Sequence, residues 1–89
     1  MISPEDSLIE YPSEFPIKVM GKAVPELADV LTEIVLQFDP IFDVEGIEVR
    51  PSKGGNYVGL TFRVNATSRE QLDNLYKALH AHPLVSIIL

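Results

Sequence analysis

The residues of this chain that could perform catalysis or bind a metal are few and scattered. Its 89 residues include 13 Asp and Glu, two His and no Cys, so disulfides, thiolate nucleophiles and cysteine-ligated metals are excluded. His80 and His82 are two positions apart, which turns them in different directions on a helix, and no third histidine completes a zinc site. Ser52 and Ser68 fall at a predicted hairpin and a predicted helix start, without a nucleophile elbow. The sequence therefore predicts a non-enzyme that carries no metal and no cofactor.

A glycine-rich segment at residues 53–56, with the sequence Lys-Gly-Gly-Asn, has backbone N–H groups that could cradle a phosphate. It is not a Walker motif, and a strand rather than a helix follows it, so no helix dipole would assist an anion there. Adjacent glycines also supply the positive φ that a hairpin turn needs. We favour the hairpin turn.

Charge further limits the function. The net charge of −6 disfavours a general nucleic-acid binder, which should be basic. Residues 1–48 hold eleven acidic and two basic side chains, whereas residues 49–89 hold two acidic and five basic ones. The start of the chain is acidic and contains Pro4, unlike a secretory signal, and no apolar run is long enough to span a bilayer. We expect a cytoplasmic protein without membrane contact.

The spacing of apolar residues predicts six elements after a loose acidic N-terminal tail at residues 1–14. Residues 15–22 alternate between apolar and polar, which is typical of a half-buried strand. Pro25 then opens a helix whose apolar residues recur every three or four positions on one face. Asp39 and Pro40 end this helix, because proline disfavours helical geometry in the residue before it.

The next two strands should form a hairpin. Residues 44–50 predict a strand with Ile47 and Val49 pointing inward. Residues 57–65 alternate most regularly and predict the third strand. The turn between them contains the glycine-rich segment described above.

A capping box at Thr67 and Glu70 predicts the start of the second helix, and residues 84–89 predict the final strand. The order β-α-β-β-α-β is typical of the ferredoxin-like α+β fold, in which a four-stranded antiparallel sheet carries two helices on one face. Residues 15–89 should form this single domain. Its core should include the apolar residues Leu31, Ile34, Leu60, Phe62, Leu75 and Leu79.

The alternate strand residues should form an open sheet face turned to solvent. The predicted members of this face combine cations with polar, apolar and aromatic groups, with Glu48 as the main acid: Lys18, Met20, Lys22, Arg50, Tyr57, Thr61, Arg63 and Asn65. Such a face could bind a protein or an anion, could stack RNA bases, or could simply be solvated through its Lys and Arg stems. Lys18 and Arg63 should be neighbours on the two central strands, where their charges repel. The acidic N-terminal tail of the same chain, with Glu5, Asp6, Glu10 and Glu14, could relieve this repulsion, and so could an acidic protein surface or a carboxylate ligand.

Short motifs along the chain add a family resemblance. They are Phe15-Pro16-Ile17-Lys18-Val19-Met20-Gly21, Pro25-Glu26-Leu27, Lys53-Gly54-Gly55-Asn56-Tyr57, Asn65-Ala66-Thr67 and Leu75-Tyr76. Together they resemble the YbeD-like family of small bacterial proteins over residues 8–89. That family has no known function, and its fold is similar to that of ACT domains, which sense amino acids in metabolic enzymes. The resemblance implies a ligand site at the turn after the first strand, with Gly21 and Lys22, and a suggested family link to lipoate metabolism.

These observations predict a small regulatory or interaction module that acts by binding another protein or an anionic ligand. The partner surface would be the open face, through Lys18, Met20, Arg50, Tyr57 and Arg63. One alternative is a sensor of an amino acid or a lipoate-related ligand at the Gly21 turn. A second is an RNA-associated protein that uses the open face, although nucleic acid is not the expected partner. Homodimer formation is left open.

Overall fold

The computed structural model describes residues 10–89. The predicted ferredoxin-like order β-α-β-β-α-β is confirmed. The strands and helices are β1 (Ser13–Lys22), α1 (Leu27–Phe38), β2 (Glu48–Pro51), β3 (Tyr57–Ala66), α2 (Arg69–His80) and β4 (Val85–Ile88).

The four strands form one antiparallel sheet in the order β2-β3-β1-β4, with the two longest strands in the centre as predicted. β1 and β3 pair without interruption from Ser13 opposite Ala66 to Lys22 opposite Tyr57. Directly paired residues point to the same side of an antiparallel sheet. The register therefore decides which side chains face the helices and which face away.

The core lies between the sheet and the two helices. On β1 and β3, Ile17, Val19, Leu60, Phe62 and Val64 are buried and alternate with residues of the open face. The helices bury one residue every three or four positions, as an amphipathic helix should, through Leu27, Leu31, Val35, Leu72, Leu75 and Leu79. Of the six predicted core residues, only Ile34 is partly rather than fully buried.

Strand β1 and helix α1 do not begin where the sequence predicted. β1 begins at Ser13, inside the segment predicted as a tail, and the remainder of that prediction for residues 1–9 lies outside the described residues. The helix predicted to open at Pro25 begins at Leu27, after a turn that contains Pro25 and Glu26. Helix α1 ends at Phe38 as predicted, immediately before Asp39.

The prediction for residues 44–50 was wrong in part. Val44–Gly46 form a 3-10 helix, and the strand starts only at Glu48. Val49 lies opposite buried Leu60 and so faces the helix side, yet it is 60% exposed. Strand β2 contacts mainly β3, because it lies at the edge of the sheet beyond the helices. Alternation predicts the direction of a side chain but not whether a helix covers it.

The N-cap of α2 is Ser68, and the prediction of Thr67 was wrong by one residue. The Ser68 hydroxyl accepts a hydrogen bond from the Gln71 N–H at 3.0 Å, and the Gln71 side-chain oxygen accepts one from the Thr67 N–H at 2.7 Å. The reciprocal bonds resemble a capping box. Gln71 takes the place of Glu70 because it is the third residue after the Ser68 cap. Its side-chain amide also donates to the carbonyl oxygens of Phe38 and Asn65, at 2.8 and 3.1 Å.

A buried carboxylate completes this corner. Asp39, at the end of α1, is 2% exposed and accepts from the Asn65 backbone N–H at 2.8 Å and from its side-chain amide at 3.2 Å. Strand β2 pairs only with residues 58–61 of β3. Asp39 therefore satisfies an edge N–H of β3 beyond the reach of β2, where an unpaired group would be costly.

The cap gives a direct test of the α2 start. Ser68→Ala should lower the free energy of unfolding by about 0.5–2 kcal/mol, because the Gln71 N–H loses its acceptor. Thr67→Ala is the matched control and should stay within about 0.5 kcal/mol of the wild type, because its side chain is exposed. Urea unfolding of the two variants measures both values. A larger loss for Thr67→Ala than for Ser68→Ala would contradict this assignment.

Candidate binding face

The open face is the side of the sheet turned away from the helices. Its outward positions on β1 and β3 are the predicted ones, because Lys18 lies opposite Thr61, Met20 opposite Gly59 and Lys22 opposite Tyr57. The outward positions of β2 continue the same rows, with Glu48 opposite Thr61 and Arg50 opposite Gly59. The structure thus brings Lys18, Met20, Arg50, Tyr57 and Arg63 onto one surface.

A hollow of about 690 Å³ lies in the middle of this face. Gly59 lies on its floor, between Met20 on β1 and Arg50 on β2. Lys18 and Thr61 line the hollow in the next row, and Leu89 borders it beyond β1, where its N–H donates to the Lys18 carbonyl oxygen at 2.8 Å. Gly59 contributes to the hollow because it has no side chain, whereas Met20 and Arg50 on either side have long ones.

The fold accounts for Gly55 and Gly21, but it does not account for Gly59 inside strand β3. Gly55 has a φ of 74° in the β2–β3 turn, which side chains rarely tolerate. A Cβ on Gly21 would meet the Leu84 carbonyl oxygen at 2.7 Å, which packing forbids. A Cβ on Gly59 would meet nothing closer than the Arg50 carbonyl oxygen at 3.6 Å, an ordinary contact. Glycine inside a strand weakens it and often marks close approach by a ligand or another chain.

The cations of the face are not equivalent. Arg63 lies 3.4 Å from the Glu48 carboxylate, and both side chains are partly exposed. Lys18 and Arg50 form no ion pair among residues 10–89. Lys18 and Arg63 are neighbours only diagonally, because Lys18 faces Thr61 and Arg63 faces Pro16. The predicted repulsion between Lys18 and Arg63 is therefore already relieved in part by Glu48.

Two apolar side chains of the C-terminal segment, which the sequence did not predict there, lie on the open face beside Met20 and the hollow. Ile87, opposite Met20, is 49% exposed, and Leu89 is 71% exposed. Tyr57, at the end of β3, is 43% exposed. The predicted strand at residues 84–89 is too short for its alternation to assign its faces. In addition, the pairing of β1 with β4 shifts register between Met20 and Gly21, which the sequence does not reveal. Gly59 was recognisable from its position inside an otherwise regular strand.

The second predicted site, the turn at Gly21 and Lys22, is closely packed. Gly21 is buried, and the space beside it is filled by Leu84 and the Leu27 side chain. The Lys22 N–H donates to the Leu84 carbonyl oxygen at 3.0 Å, and the Lys22 side chain is exposed. The structure explains this glycine by packing, and ligand binding there stays a prediction.

The histidines and the one tyrosine with a shifted pKa lie apart from the open face. His82 Nδ1 accepts a hydrogen bond from the Leu84 N–H at 3.1 Å, and His80 is exposed at the end of α2. No three His, Asp or Glu side chains within residues 10–89 lie together as possible metal ligands. Burial raises the pKa of Tyr76 above its ordinary 10.0, but this residue lies on α2, on the opposite side of the sheet. No helix in the described part of the chain is long and apolar enough to cross a membrane.

Comparison with known proteins identifies relatives along the whole length. Residues 6–89 match the family described as "Protein of unknown function (DUF493)". A UPF0250 protein of Bordetella parapertussis is 74% identical over 88 residues, which cover 99% of this chain and 97% of the relative. A UPF0250 protein of Ralstonia nicotianae is 60% identical over 86 residues, covering 97% and 89%. One from Paraburkholderia phytofirmans is 54% identical over 89 residues, covering 100% of both chains. The expected YbeD-like resemblance is consistent with these matches.

The two glycines allow a matched test of why each is present. Gly21→Ala should destabilise the protein by about 1–3 kcal/mol, because the new methyl group collides with the Leu84 carbonyl oxygen. Gly59→Ala should leave stability unchanged or raise it by up to about 1 kcal/mol, because alanine loses less backbone entropy in a strand. Thermal and urea unfolding measure both changes. A loss above about 1 kcal/mol for Gly59→Ala would mean that packing, rather than binding, requires this glycine.

Proposed function

Because this chain belongs to the DUF493, or UPF0250, family of small bacterial proteins of unknown function, we propose that it is a small interaction module that binds a protein partner on its open face. The observation that carries the proposal is Gly59, which keeps a hollow open at a stability cost that the fold does not require. The role is binding rather than catalysis.

The composition of the open face supports a protein partner. Met20, Ile87 and Leu89 provide apolar surface, and Lys18 and Arg50 provide charge beside it. Protein interfaces combine apolar and polar groups, and the open face offers both, with apolar groups on β1 and at the β4 edge and cations on β1 and β2. A regulatory role of the kind that ACT domains perform is compatible with such a face. A small module that catalyses no reaction would regulate its partner by binding to it.

The two alternatives have less support from the geometry. A sensor site at the Gly21 turn would need space that Leu27 and Leu84 occupy. RNA-binding sheets stack bases on aromatic rings of the central strands. Here the only aromatic residue among the outward positions of β1 and β3 is Tyr57, at the end of its strand.

The test places a leucine side chain on the floor of the hollow, and circular dichroism checks that each variant keeps the fold. Wild-type protein and Gly59→Leu are immobilised and exposed to a lysate of the native bacterium, with and without nuclease. Asn74→Leu is the matched control, because it adds the same side chain at an exposed position of α2. At least one protein should be retained by the wild type and Asn74→Leu but not by Gly59→Leu, and nuclease should not change this.

Three results would contradict the proposal. One is that all three resins capture the same set of proteins, or that none of the resins captures any protein. Another is loss of capture after nuclease treatment, which would favour the RNA alternative. The third is a rise in melting temperature with a free amino acid or lipoate that survives Gly59→Leu and disappears in Lys22→Ala, which would favour the sensor.

A further inference from the structure

The charge of the open face differs from the charge of the chain as a whole. The full sequence has 7 Lys and Arg against 13 Asp and Glu. The outward positions of β1, β2 and β3 reverse this balance, because their only acids are Glu14 and Glu48. Four of the seven cations lie there, namely Lys18, Lys22, Arg50 and Arg63. This face is therefore a basic patch on an acidic protein. It favours an acidic partner, and it disfavours pairing of two copies through their open faces, because that would bring two basic surfaces together.

Two of these cations lie on opposite sides of the hollow. Lys18 on β1 and Arg50 on β2 are separated by the β3 residues Gly59 and Thr61. Neither forms an ion pair within residues 10–89, whereas Arg63 is paired with Glu48. Carboxylates of a partner could therefore reach Lys18 and Arg50 without displacing an existing ion pair.

The floor of the hollow has different chemistry from its sides. At Gly59 the backbone is not covered by a side chain, and the opening between Met20 and Arg50 is one residue wide. Met20 and Leu89 supply apolar walls, and the methylene stem of Arg50 can supply another. The place directly over Gly59 can take an apolar side chain. None of the described residues that line the hollow is aromatic, so it offers no ring on which RNA bases would stack.

We infer that the occupant of the open face is an acidic segment of a partner protein, which lays one apolar side chain on Gly59 and directs carboxylates to Lys18 and Arg50. This inference rests on the proposed function and adds the chemistry of the partner. The hollow lies on one face of a sheet, so a small carboxylate would stay largely in water, whereas a protein segment can span the face and bury its central side chain.

Selection from random sequences tests this chemistry without knowledge of the partner. A display library of random ten-residue peptides is selected on immobilised wild-type protein and counter-selected on Gly59→Leu. A pool of random ten-nucleotide RNA is selected in parallel. Enriched peptides should carry net negative charge and one apolar side chain flanked by Asp or Glu. Their affinity should fall roughly tenfold between low and high salt, because exposed charge pairs are screened.

The charge contribution is isolated by paired double variants. Lys18→Glu with Arg50→Glu should abolish binding of the enriched peptides. Arg69→Glu with Lys77→Glu changes the net charge equally, on helix α2, and should reduce their affinity less than threefold, by long-range repulsion alone.

The inference is overturned if no peptide is enriched, if the enriched peptides are neutral or basic, or if both double variants bind alike. Enrichment of RNA in a Gly59-dependent manner would also overturn it. Any of these results could occur while capture from the lysate still depends on Gly59. In that case the open face would remain the binding surface, and only the stated chemistry of its partner would be wrong.

Discussion

The uninterrupted pairing of β1 with β3 is the constraint on which the open face depends. Its register puts Ile17 and Phe62 together under the helices, and Lys18 and Thr61 together on the other side. A slip of one residue would exchange the two sets, exposing the core and burying the cations. The burial of the apolar residues therefore fixes the arrangement of the open face, although no residue of that face contributes much to the core.

A polar corner holds the ends of these elements together. Asp39, Asn65 and Gln71 connect the end of α1, the end of β3 and the start of α2 through hydrogen bonds of 2.8–3.2 Å. The buried Asp39 carboxylate would be costly without its donors. The corner lies at the far end of β3 from Tyr57, away from the hollow around Gly59.

Regular alternation explains how much could be predicted from the sequence. Residues 15–22 and 57–65 are long enough for their faces to be assigned, and the structure confirms those faces. The strand predicted at residues 44–50 was wrong in part, because Val44–Gly46 form a 3-10 helix and Val49, although it faces the helix side, lies exposed on the edge strand. The cap at Thr67 failed, because Ser68 and Thr67 are both good capping residues and the choice depends on where Gln71 reaches. The pairing of Arg63 with Glu48 across strands needed the register itself.

The central claim is that partner binding takes place on the open face. The most direct measurement is an amide NMR map of the isotope-labelled chain with a purified partner captured from the lysate. We predict that the largest shift changes fall on β1 and β3 around Met20 and Gly59, with little change in α1 and α2. Changes centred on the turn at Gly21 and Lys22, or on the helices, with Gly59 unaffected, would contradict the claim.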